Sequence, residues 1–432
     1  MDVDDQGTPA SPLEGPGART DHKDVGPVRG WVKLLSGPTV VTGGLMVVAL
    51  AAQTVLYRIL PTADAGRLAL VLSLVQTIAL VGGLGQQTLV ARTYSRKPVG
   101  TYDWRRDCLT TLGLTFPSLL VAAAAAAAIN RLDLRLSIFV LAASWLLLVT
   151  GLIGSVLSSH QHYVWSAVLA RLPGALLILT AGLSFFVAPG SRYPVALASL
   201  LVFGMADGVL ALWLVGRLAS RGSERIRPRQ RLLGLLLLVS VLTVLLPDDG
   251  LISLAGGIVP PASIAGYASV LLLFGVFKLL FAVLILVLVT ELARTSRPNY
   301  RSLTAVIWAG AMTLGLLSWA VVPPAVHVLY AGRYDWAATL VPWFALGGIL
   351  QLTESLPLSH MVGRADERAL NKFIFRQILV VASGVGLFYA LVPALGIRGI
   401  AITATAVYVG RNILAYASMA LTSKHSPVRA PG

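Results

Sequence analysis

Twelve long, nearly uninterrupted apolar runs fix the class of this chain before any motif is considered. They cover residues 39–59, 68–89, 108–129, 137–158, 167–187, 195–216, 232–258, 267–290, 302–325, 337–361, 373–393 and 399–421. Each approaches the roughly 20 residues that a helix needs to cross a bilayer. The runs are too long and too evenly apolar for the alternating strands of a membrane barrel, which leaves helices as the spanning structure. Charged residues make up only 12% of the chain, where a soluble domain carries roughly a quarter. The eighth run is the cleanest. The seventh is the least regular, because Pro247-Asp248-Asp249-Gly250 interrupts it.

A second pattern divides these runs into two sets. Leu60-Pro61 is followed by Gly66, an apolar stretch and Ala91-Arg92-Thr93-Tyr94-Ser95-Arg96. Pro260-Pro261 is followed by Gly266, an apolar stretch and Ala293-Arg294-Thr295-Ser296-Arg297. Self-similarity at a fixed offset marks a repeated structural unit. The expected fold is therefore all-α and polytopic, with about twelve transmembrane helices in two pseudo-symmetric six-helix lobes around a central cavity. Paired bundles of this kind are a common plan for transporters, with the substrate held between the halves. The expected divisions are a disordered tail at 1–36, a first lobe at 37–216, a basic linker at 217–231, a second lobe at 232–423 and a short tail at 424–432. The first tail is polar and rich in Gly, Pro and Asp, and has no apolar core behind a basic start, so it does not read as a cleavable signal peptide.

Lys and Arg set the expected orientation. One set of loops holds Arg92, Arg96, Lys97, Arg105 and Arg106, then the arginines of 217–231, then Arg294, Arg297, Arg301, Arg364, Arg368, Lys372 and Arg376. The other set holds Arg58, Arg67, Arg131, Arg135, Arg192, Arg333 and Arg398. Positive loops stay in the cytoplasm, so the chain is expected in the cytoplasmic membrane with both termini inside. Topology and anionic lipid headgroups account for the net charge of +15, and no nucleic-acid partner is implied. The single cysteine, Cys108, excludes an internal disulfide and any multi-cysteine metal site.

Catalytic signatures are missing. There is no phosphate loop, no HExxH and no nucleophile elbow. His160-Gln161-His162 lacks the further ligands of a metal site, and Asp248-Asp249 lacks the second acidic cluster of a prenyl-diphosphate enzyme. The loops opposite the basic face are short, which leaves little room for an external active site. The chain is read as a non-enzyme without metal or cofactor. Pro117, Pro173, Pro323, Pro324 and Pro357 fall in or near spans, where each removes a backbone donor.

Ionisable residues inside the spans are functional candidates, because a charge in hydrocarbon is costly. Lys278 sits at the middle of the eighth run, roughly 16 Å from either end at 1.5 Å per residue, beyond the reach of snorkelling. It must line a wet cavity or pair with a buried carboxylate. Arg58 and Arg67 flank the ends of the first two spans and extend a cationic path or snorkel. Asp248, Asp249, Glu354 and Asp207 are candidates for a coupling cation or proton. Glu354 could instead pair with a basic group. Asp207 and Arg411 occupy matching positions of the two halves and either pair or bond locally. Arg171 is expected near the start of the fifth span, snorkelling.

Several short runs carry a family resemblance. Tyr57-Arg58-Ile59-Leu60-Pro61, Asp64-Ala65-Gly66, Gly82-Gly83-Leu84-Gly85 and Ala91-Arg92 resemble the first two helices of polysaccharide flippases. These belong to the multidrug/oligosaccharidyl-lipid/polysaccharide exporter superfamily. Leu329-Tyr330-Ala331-Gly332-Arg333-Tyr334-Asp335-Trp336-Ala337-Ala338 resembles the family's external turn before its tenth helix. Gly363-Arg364-Ala365-Asp366 and Gly396-Ile397-Arg398-Gly399-Ile400-Ala401 resemble its last loops. The resemblance implies a cavity lined by the first, second, seventh and eighth helices, with Arg58, Lys278, Gln53 and Gln76 on its wall. It implies a flippase for undecaprenyl-diphosphate-linked oligosaccharide, working by alternating access beside a polysaccharide polymerase and glycosyltransferases. One departure is Val289-Thr290-Glu291, where the family often has a proline. Other readings are a cation-coupled multidrug exporter of the same fold, a membrane glycosyltransferase or polymerase, and a non-transporting scaffold of envelope assembly.

Overall fold

The computed structural model describes residues 38–95, 97–294, 299–363 and 367–423. The expected tails at 1–36 and 424–432 lie outside the described residues, as do Arg96, Thr295, Ser296, Arg297, Arg364, Ala365 and Asp366. Regular structure among the described residues is helical. The first half contains α1 (Pro38–Ile59), α2 (Thr62–Gly82), α3 (Gln86–Tyr94), α4 (Trp104–Asn130), α5 (Leu134–Ser159), α6 (Tyr163–Leu183) and α7 (Arg192–Leu218). The second contains α8 (Pro228–Leu245), α9 (Leu251–Ala255), α10 (Pro261–Leu273), α11 (Gly275–Arg294), α12 (Tyr300–Tyr330), α13 (Val341–Gly363), α14 (Glu367–Leu395) and α15 (Ile397–Ser423). Among the described residues eleven helices are long and apolar enough to cross a membrane, and twelve spans result if the bent pair α10–α11 counts as one. The protein is a multi-pass membrane protein.

Local sequence explains where the spans stop. Asp103, Asp133 and Asn299 cap α4, α5 and α12, their side chains accepting from the amides of Arg106, Leu136 and Ser302. Such caps satisfy backbone donors that a helix start leaves open. Arg131 and Ala331 end α4 and α12 in the left-handed conformation, at φ of 52° each, so the chain turns back within a few residues.

Three expectations change in detail. The second span breaks at Gly83–Gly85, where Gly85 has a φ of +67° and α8 presses close. A Cβ at Gly85 would lie 2.2 Å from the Gly234 carbonyl oxygen. The irregular seventh span is not interrupted: Leu246–Gly250 forms a π turn that joins α8 to α9. The cleanest run, by contrast, bends by 43° between α10 and α11. Gly275 lies at that bend, with Met46 and Leu50 of α1 against it.

In the first lobe α1 packs on α6, α2 on α4 and α5, and α7 on α5 and α6. In the second, α13 packs on α11, α12 and α15, and α14 on α15. The duplicated motifs meet where the lobes touch. Gly66, five residues after the first proline, lies against Pro261, and a Cβ there would fall 1.6 Å from the Pro261 carbonyl oxygen. Only a glycine permits this approach of α2 to α10.

At the basic face the segment around Gly222 and Glu224 docks on the residues before α4. The amides of Gly222 and Glu224 donate to the carbonyls of Tyr102 and Thr101, and the Asp103 amide donates to Glu224. Lys97 pairs with Glu224. Beneath this contact Asp107 accepts from Tyr94 at 3.0 Å and from Arg231 at 2.9 Å, so the start of α8 is tied to the first lobe.

Candidate functional site

A cavity of about 690 Å³ lies between the lobes. Its walls come from α1, α2, α5, α6 and α7 on one side and from α8 to α11 on the other. That volume is within the range of pockets that enclose small ligands, roughly 300–1,000 Å³. Most of the lining is apolar, with a small set of polar and charged groups.

The end of the cavity away from the basic face is sealed around the last turn of α1. Pro61 has no amide hydrogen, so the Tyr57 carbonyl loses its helical donor. The Tyr334 hydroxyl donates to that carbonyl at 3.3 Å. Arg333 donates to the Leu60 carbonyl at 2.9 Å, and Arg192 donates to the Ile59 carbonyl at 3.0 Å. Two of these three donors belong to the second lobe, so the repeated Leu-Pro motif creates acceptors that hold the lobes together. Tyr57, Tyr330 and Tyr334 are buried in the seal.

Lys278 lines the cavity, and its side chain is 34% exposed. It is also paired, with Nζ 3.0 Å from Asp248 Oδ2. Both sequence alternatives for this lysine therefore hold together. Gln53 and Gln76 line the cavity as well. Arg58 and Arg67 do not. Arg58 is exposed in the last turn of α1, where helix-end arginines reach water. Arg67 is exposed and pairs with Asp64 at 3.3 Å, one turn earlier on α2. The cationic path expected from these two arginines is absent from the cavity wall.

The acidic candidates separate. Asp248 and Asp249 both line the cavity. Asp248 also accepts from the Tyr408 hydroxyl at 3.2 Å, and Asp249 accepts from Ser73 at 3.2 Å. Asp207 borders the cavity but is 0% exposed, and neither carboxylate oxygen has a hydrogen-bond partner among the described residues. Glu354 is elsewhere, buried in the second lobe with its Oε2 2.8 Å from Arg411 Nη2. Arg411 donates further to the Thr243 carbonyl at 2.9 Å. Asp207 and Arg411 thus do not pair: matching positions of the two halves face different surroundings.

Arg171 is the cavity residue that the sequence reading placed elsewhere. It is exposed, lines the cavity, and joins none of the ion pairs among the described residues. The reason is a boundary. The fifth span starts at Tyr163 and not near 167, which puts Arg171 eight residues in, about 12 Å along the axis at 1.5 Å per residue.

Exposure decides what the cavity presents. Arg171 and Lys278 both border it with accessible side-chain surface. Asp207 is sealed behind the wall, and the Asp248 side chain is 10% exposed behind Lys278. Asp249 is half-buried and held by Ser73. Two cationic side chains therefore border the cavity beside two carboxylates, of which Asp249 is partly accessible and Asp248 only marginally so.

No protein-family description and no curated protein matches this chain at a significant level. Solved structures do. The fold is similar to that of lipid II flippase MurJ in an inward closed conformation, with a TM-score of 0.64 at 12% identity, covering 91% of this chain and 88% of that one. It is similar to an inward-facing multidrug resistance MATE family transporter of the MOP superfamily, with a TM-score of 0.56 at 15% identity, covering 92% and 100%. A crystal structure of a MATE mutant gives 0.50 at 15% identity, covering 91% and 97%. The chain shares the fold of these solved transporters and flippases, two helical lobes around a cavity.

Proposed function

We propose that this protein is a flippase for polyprenyl-diphosphate-linked oligosaccharide, moving the headgroup across the cytoplasmic membrane by alternating access. Arg171 and Lys278 carry the reading. They stand on opposite lobes and present positive charge inside a chamber sealed at one end. Charge-assisted bonds to phosphate strengthen away from bulk water, so the two heads suit a diphosphate. The chamber of about 690 Å³ holds a headgroup and leaves the prenyl chain in lipid. Gln53 and Gln76 supply donors and acceptors for sugar hydroxyls.

The basic face is cytoplasmic in this reading, following the bias of Lys and Arg, and both termini are inside. Residues 37–216 and 232–423 are the moving lobes, and 217–231 is their linker. Asp207 is the proton carrier: an isolated buried carboxyl without a counter-charge is costly to keep ionised. Asp248 and Asp249 serve the cationic groups beside them. The substrate would arrive from glycosyltransferases and pass to a polysaccharide polymerase.

A second reading is a cation-coupled multidrug exporter, supported by the three carboxylates around the cavity and by the likeness to MATE transporters. Deleting the gene separates the two. A flippase leaves lipid-linked sugar trapped in the inner leaflet, a defect that Lys278→Ala and Arg171→Ala fail to rescue. Drug hypersensitivity with unchanged surface glycan supports the exporter and overturns the flippase.

A further inference from the structure

The π turn at Leu246–Gly250 aims consecutive aspartates at different lobes. Insertions of this kind in a helix are frequent at functional sites. Asp249 turns to Ser73 on α2 of the first lobe, while Asp248 turns to Lys278 on α11 and Tyr408 on α15 of the second. The two oxygens of Asp248 are divided: Oδ2 lies 3.0 Å from the lysine ammonium and Oδ1 accepts from the tyrosine at 3.2 Å. Beside this pair, on the side of the second lobe, is a chamber of about 30 Å³ whose wall includes Asp248, Lys278, Gln351, Thr405 and Tyr408. It is large enough for a single water, and these polar groups in an otherwise apolar wall give that water partners.

These contacts give the lysine two faces. One is covered by a carboxylate that itself is held from behind, and the other is open to the main cavity. We propose that Asp248 is a built-in competitor for the substrate's anionic group, occupying Lys278 in the empty transporter and yielding it when the substrate binds. This deepens the flippase reading and rests on it. A bare ammonium at mid-membrane depth is costly, so the empty cavity needs an internal counter-ion. The incoming anion takes over that role, and the displaced carboxylate keeps the Tyr408 hydroxyl and the water-sized chamber. Asp248 is therefore a positioning residue that sets how strongly charged an anion must be to enter. A diphosphate competes well with one carboxylate, and a weak monoanion does not.

Binding of inorganic pyrophosphate to the purified full chain in nanodiscs, followed calorimetrically, tests this. Asp248→Asn removes the competitor and keeps the shape, and it should bind about tenfold tighter, a change equal to the loss of one modest charge interaction. Tyr408→Phe removes the group that holds the displaced carboxylate, and it should bind several-fold weaker. Lys278→Ala should abolish binding. Opposite signs for Asp248→Asn and Tyr408→Phe are the diagnostic result, because damage to folding would weaken both. If the parent binds pyrophosphate through Lys278 but Asp248→Asn binds no tighter, the competitor role is overturned while the anionic-substrate reading stands. If neither the parent nor Asp248→Asn binds pyrophosphate, both are overturned.

Discussion

Glu354→Ala would leave the Arg411 guanidinium, 1% exposed, without the carboxylate that lies 2.8 Å away. Arg411 would keep its bond to the Thr243 carbonyl and its place 5.5 Å from the Tyr408 ring centre. Neither replaces a counter-charge. Breaking a buried pair by removing one partner costs about 3–5 kcal/mol, whereas replacing both partners by apolar residues is often neutral or stabilising by about 1–4 kcal/mol. Glu354→Ala and Arg411→Ala should therefore each lower thermal stability sharply, and Glu354→Leu with Arg411→Leu should recover most of it. Thermal unfolding of the purified protein, followed by tryptophan fluorescence, measures this directly. The paired leucine variant should also keep transport, since neither residue borders the cavity. A Glu354→Ala protein as stable as the parent would refute the ion-pair argument. A stable paired-leucine variant that cannot transport would support Glu354 as a coupling group.

The seal and the lobe contact are testable in the same way. Arg333→Ala with Tyr334→Phe removes two bonds from the second lobe to the end of α1, each worth about 1–3 kcal/mol with a charged or buried donor. A cysteine placed at Gln53 should then react faster with a membrane-impermeant thiol reagent from the face opposite the basic loops; an unchanged rate contradicts the seal. Gly66→Ala forces a methyl onto the Pro261 carbonyl, which a Cβ would approach to 1.6 Å, and should cut the yield of folded protein; normal yield and stability contradict the close approach. Asp107→Ala leaves Arg231 buried beneath the linker and should cost about 3–5 kcal/mol, read as a lower unfolding temperature; no change would show the docked linker to be unimportant.

Span number and type were legible because a bilayer imposes one length and one polarity on every helix that crosses it. The Leu60-Pro61 and Pro260-Pro261 repeats also marked the place where the lobes meet, since proline and glycine report backbone geometry directly. Charge partners were not legible. Lys278 could be placed at mid-depth by counting, but its partner Asp248 comes from another span and a π turn that periodicity does not reveal. A start four residues earlier for α6 moved Arg171 from the interface to the cavity. Glu354 and Arg411 look like two isolated intramembrane charges in sequence and become one neutral pair only when α13 and α15 pack. Arg58 was drawn to the site by the family resemblance and Arg67 by its place beside a possible cationic path, while their helix-end positions already favoured water.

The cavity's role is tested most directly by reconstituting the full chain in liposomes with a fluorescent polyprenyl-diphosphate sugar and following leaflet exchange. The parent protein should exchange the lipid, and Arg171→Ala with Lys278→Ala should reduce the rate to that of protein-free vesicles. Equal rates for the parent and this double variant would contradict transport through those two cationic groups.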